Sequence, residues 1–245
     1  MGSMIEFEGV HAYRAGPVGP PRGGMVLIHE IWGLAPHICA VADRWAAEGW
    51  VVLAPDLLSG AGVTPEAGEE LQRLTQFGTD EERQSAQPRM REAFSAAFAP
   101  DVAQDAVAAL RRTVDVLARE PELQGRIAVV GFCFGGTYAF ELAAADDRIA
   151  AAVPFYGSPL PAERIPKVRC PVLAIYGDQD EKLMATLPEL EDAMMAAGKD
   201  FTTQVYAGAQ HAFFNDTGAR YDAEAAEDAW ATANAFLATA LADRG

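Results

Sequence analysis

The sequence predicts an α/β fold with a mostly parallel central sheet and helices on both faces. Three observations predict it. Short β-branched or apolar runs recur along the chain at residues 25–28, 50–54, 127–130, 149–156, 171–176 and 201–206. Stretches with apolar residues at helical spacing separate most of them, and strands alternating with helices give a parallel sheet covered on both sides. The chain has 245 residues, half of them hydrophobic, which is enough for one large core.

Each element has a local reason. Residues 5–8 and 11–14 half-alternate across Gly9 and read as a β-hairpin at a sheet edge. Residues 15–24, rich in Gly and Pro, are a loop. The apolar run 25–28 is a buried strand leading into His29-Glu30-Ile31-Trp32-Gly33-Leu34. A helix follows over 36–48, with Pro36 at its first position and Gly49 closing it. The strand 50–54 ends at Pro55-Asp56, and residues 57–80, with Gly60, Gly62, Pro65, Gly68 and Gly78, are loop-rich. A polar helical stretch over 80–98 carries Arg83, Arg89 and Arg91 and is interrupted at Pro88.

Val102, Ala106, Ala109, Leu110, Val114 and Leu117 mark an amphipathic helix over 101–119. After the strand 127–130 and a helix come the strand 149–156, a Pro-rich loop over 157–168 and the strand 171–176. A helix over 188–197, the strand 201–206, the loop 207–217 and a helix over 223–241 complete the order. No internal repeat interrupts this pattern, so residues 4–245 form one domain, with Met1-Gly2-Ser3 ahead of Met4 as a remnant of expression.

A formal net charge of −16 argues against nucleic acid and anionic membranes as partners, since both repel an acidic protein. Cys39, Cys133 and Cys170 are odd in number and widely spaced, without a C-x-x-C pair. Neither a disulfide framework nor a metal site is expected from them, and no cofactor is implied. A basic leader with an apolar core is absent, as is any run of 18 apolar residues, which makes a cytoplasmic protein the expectation. A monomer or small homo-oligomer fits that setting.

The most informative stretch is Gly131-Phe132-Cys133-Phe134-Gly135-Gly136 between the strand 127–130 and the helix after it. This is the G-x-S-x-G nucleophile elbow of α/β-hydrolases with cysteine in place of serine. Small flanking residues let strand and helix approach closely while the nucleophile sits in a strained turn at a helix N-terminus, where free N–H groups favour a thiolate. In such folds the acid and the histidine follow the nucleophile in that order. Asp180 lies just past the strand 171–176, and His211 past the strand 201–206. His211 would take or share the Cys133 proton, and Asp180 would fix its tautomer and stabilise the imidazolium. Asp178 competes for the acid's place, with Asp180 preferred because it lies further into the loop. The other histidines fit less well: His11 and His37 read as surface or helix residues, while His29 could line the site.

Two backbone N–H groups are assigned to the oxyanion hole, those of Ile31, in the loop after the first long strand, and Phe134, next after the nucleophile. Glu30 beside that hole would repel an oxyanion, so it must be paired, protonated or able to swing away, an arginine salt bridge being the plain structural alternative. Trp32 and Tyr156, at strand ends, would wall a substrate pocket, with ordinary core packing as the rival.

Glu30-Ile-Trp-Gly33, Gly131-Phe-Cys133-Phe-Gly-Gly136, Gly177-x-x-Asp180 and Ala209-Gln-His211-Ala-Phe-Phe, in this order, resemble the dienelactone hydrolase family over nearly the whole chain. The resemblance implies Cys133, Asp180 and His211 as a triad and hydrolysis of an ester or lactone through a thioester. It further implies that Glu30 bonds the resting thiol and takes its proton when substrate arrives. It also implies a departure. Members specific for dienelactone hold its carboxylate with arginines, one of them four residues past the histidine, where this chain has Asn215. Arg83, Arg89 and Arg91 do not match the second arginine cleanly, and a solvated face paired with Asp80, Glu81, Glu82 and Glu92 is the simpler reading. Other functions remain open: an esterase or thioesterase acting on a neutral acyl group, a non-catalytic ligand-binding protein on the same fold, or a thiol redox sensor.

Overall fold

The structure, a computed structural model, describes residues 1–242. Its frame is an eight-stranded sheet in the order β1-β2-β4-β3-β5-β6-β7-β8. Strands β3 (Gly23–Ile28), β4 (Trp50–Pro55), β5 (Ile127–Phe132), β6 (Ile149–Phe155) and β7 (Val172–Gly177) are buried at every residue. Continuous apolar runs without alternation form strands covered on both faces, which is why these five fill the middle. At one margin β8 (Phe201–Tyr206) is partly exposed. At the other lies the antiparallel hairpin of β1 (Ser3–Phe7) and β2 (Val10–Ala15), turned at Glu8 and Gly9, both at positive φ. β2 runs antiparallel to β4, and all later pairings are parallel.

Helices α1 (Pro36–Ala47) and α7 (Ala223–Ala242) share one face, joined where Trp45 meets Trp230 at 4.2 Å between ring centroids. Helices α4 (Pro100–Ala118), α5 (Phe134–Ala145) and α6 (Glu181–Ala196) lie on the other, as right-handed crossovers in the opposite direction require. This is the α/β-hydrolase fold. The strand order reverses at β3, which has β4 on one side and β5 on the other. A crevice therefore opens beyond the carboxyl ends of β3 and β5, and the loops carrying Glu30 and Cys133 leave there.

Three expectations about elements need correction. Residues 57–80 are not mainly loop: α2 runs over Pro65–Phe77, capped by the Thr64 side chain and started by Pro65. Gly68 within it is a packing requirement, since a Cβ there would lie 1.8 Å from the Trp32 carbonyl oxygen. Pro88 does not interrupt α3 (Asp80–Ala97), because it sits on an exposed side where water can serve the carbonyl it leaves unbonded. Nor does the sixth helix begin at Pro188; it starts at Glu181, capped by Asp180, and Pro188 is inside it. The pair α2–α3 makes its own small core of Leu71, Leu74 and Ala86, against which Trp32 packs. Among the described residues no helix is long and apolar enough to cross a membrane.

Candidate active site

Cys133 stands between β5 and α5 at φ 55° and ψ −112°, a conformation that L-residues avoid unless their surroundings enforce it. The surroundings do so by close approach. A Cβ on Gly131 would lie 2.0 Å from the Gly135 oxygen, and one on Gly136 would lie 2.3 Å from the Phe155 oxygen. The Cys133 N–H donates to the Phe155 carbonyl at 3.0 Å, so the turn is tied to β6 as well. Phe134 is the first residue of α5, and its N–H is among the free donors of that helix end. Ile31, in the loop after β3, is buried, and its N–H has no protein acceptor among the described residues.

The loops after β7 and β8 bring Asp180 and His211 together. His211 Nδ1 and Asp180 Oδ2 are 2.5 Å apart, and Asp180 Oδ1 also accepts from the Leu183 N–H at the start of α6. The competitor Asp178 is turned away, accepting from the Gly208 N–H and the Gln179 side chain, each at 2.8 Å. Burial pulls the His211 pKa down, but hydrogen bonding to Asp180 and to Cys133, with the charges of both, outweighs it and pushes the imidazole up to about 10. Asp180 shows the complement. Burial would raise it, and the His211 bond leads the influences that hold it below the usual carboxylate range. With Nδ1 given to Asp180, the ring's other nitrogen is left for Cys133.

Tyr156 sits beside this pair at φ 38°, its ring 5.1 Å from that of His211 and fully buried. Its hydroxyl donates to Glu30 Oε1 at 3.5 Å. The Asn215 side-chain amide donates to the other oxygen, Glu30 Oε2. Glu30 is therefore not salt-bridged to an arginine; its partners are an amide and a phenol. Burial, the leading influence, raises its pKa above the usual range. The expected bond from Glu30 to the resting thiol is likewise not among its contacts. His29 does not offer a titrating group: its ring nitrogens bond the Glu30 carbonyl and the Leu57 N–H, and burial keeps the ring neutral by lowering its pKa. His37 lies in α1, one of the two settings expected for it, but is buried there and bonds Asp216 at 2.9 Å.

The arginines of α3 do not meet at this site. Arg83 bonds the Gly78 carbonyl and Asp80, Arg89 bonds Glu70, and Arg91 is exposed. Trp32 leans under α2 and α3, whereas Tyr156 lines the His211 side. Sequence reasoning singles out Asn215 only as a departure from the arginine position; it misses the bond of Asn215 to Glu30 and that of Asp216 to His37. Both residues follow His211 within five residues, but nothing in their spacing points to a particular partner. No group of three or more His, Cys, Asp or Glu among the described residues is arranged to hold a metal.

An open parallel sheet, a sharp strand–helix turn bearing a cysteine, and loops after the last two strands that converge on it define an α/β-hydrolase. The particular family follows from comparison with known proteins. This chain belongs to the dienelactone hydrolase family, whose sequence profile matches residues 10–241. It is thereby a carboxylic ester hydrolase by class. A Saccharolobus solfataricus protein provisionally named a carboxymethylenebutenolidase is 33% identical over 241 residues, covering 93% of each chain. The carboxymethylenebutenolidase of Pseudomonas sp. (strain P51) is 30% identical over 213 residues, 85% of this chain and 81% of its own. Among solved structures, a provisionally named dienelactone hydrolase from Klebsiella pneumoniae superposes with a TM-score of 0.79 at 27% identity, covering 97% of this chain and 98% of its own.

Proposed function

We propose that this protein hydrolyses small, uncharged esters or lactones through a thioester on Cys133, with His211 and Asp180 as its partners. The observation that carries the reading is the 2.5 Å contact of His211 with Asp180, beside a cysteine held at positive φ. With the Cys133 proton already on His211, the sulfur attacks the carbonyl carbon as a thiolate. The electron pair of the C=O bond moves to oxygen, where the N–H groups of Ile31 and Phe134 receive it; each such donor is typically worth about 3–4 kcal/mol. Collapse breaks the bond to the leaving oxygen, which takes its proton from the His211 imidazolium. In a lactone that alcohol stays tethered to the acyl group. Water, deprotonated by His211, then attacks the thioester, and collapse returns the acid and the Cys133 sulfur.

Substrate charge follows from what surrounds Glu30. An amide and a phenol meet that side chain where a guanidinium would serve a free carboxylate, and Arg83 and Arg89 are already paired. An uncharged acyl group therefore suits the pocket better than an anionic one. The same reading takes residues 4–245 as one working domain in the cytoplasm, without cofactor, as a monomer or small homo-oligomer. Its test is Cys133→Ala assayed with p-nitrophenyl acetate. Turnover should fall by roughly 10³-fold or more, with an unchanged circular dichroism spectrum; retained turnover would remove the proposal.

A further inference from the structure

The loops bearing the two oxyanion donors start side by side, because β3 and β5 are neighbours with Ile28 opposite Gly131. His29, the first residue past β3, is completely buried there. Its ring lies 5.7 Å from that of Phe134 and within 6° of parallel. Both ring nitrogens are committed, and to partners that have one role each. The Leu57 N–H, just past β4, can only donate and lies 3.1 Å from Nε2, so Nε2 carries no hydrogen. The Glu30 carbonyl can only accept and lies 2.7 Å from Nδ1, so the hydrogen is on Nδ1. Burial favours the same uncharged ring.

We propose that His29 is a positioning residue: through its Nδ1–H it fixes the peptide between Glu30 and Ile31, and so aims the Ile31 N–H at the oxyanion. The proposal deepens the function given above and rests on Cys133 being the nucleophile. That peptide is planar and trans, so the Glu30 carbonyl and the Ile31 N–H point in opposite directions. Whatever holds the carbonyl therefore sets the line along which the N–H donates. Two groups hold it: the Gly33 N–H at 3.1 Å, closing a turn over residues 30–33 with Gly33 at φ 74°, and the shorter His29 bond. The turn bond lies within the loop and travels with it. The His29 ring instead ties the loop to Leu57 and rests against Phe134, the residue that supplies the other donor. An oxyanion donor helps only if it is in place before charge develops, so this fixing counts in the transition state and hardly in the bound ester. The Glu30 side chain has no part in it.

The experiment compares wild type, His29→Phe and His29→Asn by kcat and KM for p-nitrophenyl acetate and by the rate at which iodoacetamide alkylates Cys133. Phenylalanine keeps a ring against Phe134 but loses both hydrogen bonds, whereas asparagine places an amide N–H close to where Nδ1–H stands. His29→Phe should lower kcat by about 10²-fold, with KM within about twofold of wild type. Alkylation displaces iodide and develops no oxyanion, so its rate should stay within about twofold; a merely structural disturbance of the cysteine would slow it too. His29→Asn should recover kcat to within about tenfold of wild type, because the donor to Glu30 is restored. Imidazole nitrogen NMR of wild type at neutral pH should show the His29 hydrogen on Nδ1, which keeps the idea testable if His29→Phe does not fold. Wild-type kcat in His29→Phe, an equal fall in both variants, alkylation that falls with kcat, or a His29 ring protonated at Nε2 would each overturn it. Any of these with Cys133→Ala inactive on ester leaves the hydrolase reading standing; turnover by Cys133→Ala would remove that reading and this inference with it.

Discussion

At the scale of single residues, His211 and Asp180 make an ion pair whose worth depends on pH in a direction the structure dictates. His211 is raised to about 10 from an ordinary value near 6.5, so its contribution to stability is complete below about pH 6.5 and is lost as pH climbs through 10. Asp180 is depressed, so its contribution is complete above about pH 4 and is lost as pH falls through its folded value. The two limits overlap between about pH 4 and 6.5. Asp180→Asn should therefore lower the thermal midpoint most in that window, progressively less toward pH 10, and little beyond it. Scanning calorimetry of both proteins across pH 3–11 reads this directly. A cost independent of pH would mean that Asp180 acts only as the cap of α6. The same substitution should lower kcat by roughly 10²–10⁴-fold, because the ring loses the acceptor that sets its tautomer.

Among elements, the turn between β5 and α5 shows how a small patch of sequence becomes a rigid support. A Cβ at Gly135 would lie 2.3 Å from the Ile28 oxygen and 2.6 Å from the His29 oxygen. The obstacle is backbone at the end of β3, which cannot swing aside as a flexible side chain would. Gly135→Ala should cost about 1–3 kcal/mol in urea unfolding and should also reduce kcat, since the displaced segment carries Glu30 and Ile31. Unchanged stability would show that the strand end yields. The same kind of contact explains why α2 was hidden from sequence reading. Gly60, Gly62 and Gly68 punctuate residues 57–80 as a loop would, yet Gly68 is there because the Trp32 backbone presses against the helix. Pro88 misleads in a similar way, because an exposed proline forfeits one backbone bond without ending the helix.

For the whole molecule, charge is the dominant sequence-wide property. A net charge of −16 surrounds a site without a free guanidinium on its buried carboxyl group. An anionic ester must approach against that field, whereas a neutral one is indifferent to it. Raising the salt from about 0.05 to 0.5 M shortens the reach of the field to a few ångströms. The KM for a carboxylate-bearing ester should then fall severalfold, while that for p-nitrophenyl acetate stays constant. Parallel behaviour of the two substrates would place a cationic clamp within the pocket after all.

Taken alone, the sequence determined the order of the strands and of every helix but α2, the mostly parallel sheet, and the residues with chemistry to offer. Buried strands announce themselves as apolar runs, and the glycine-flanked cysteine marks the sharp turn from β5 into α5. Chain order alone ranked Asp180 and His211 as companions of Cys133. What only the tertiary structure decided is where side chains with several possible partners direct their bonds. Glu30 could have met an arginine, the thiol or solvent, and folding gave it Asn215 and Tyr156. Asp178 and Asp180 are equivalent in composition, and the turn into α6 chose between them by aiming one at His211 and the other at the Gly208 N–H. Such choices rest on distances between segments far apart in the chain, about 185 residues for Glu30 and Asn215, and no local pattern encodes a contact of that reach.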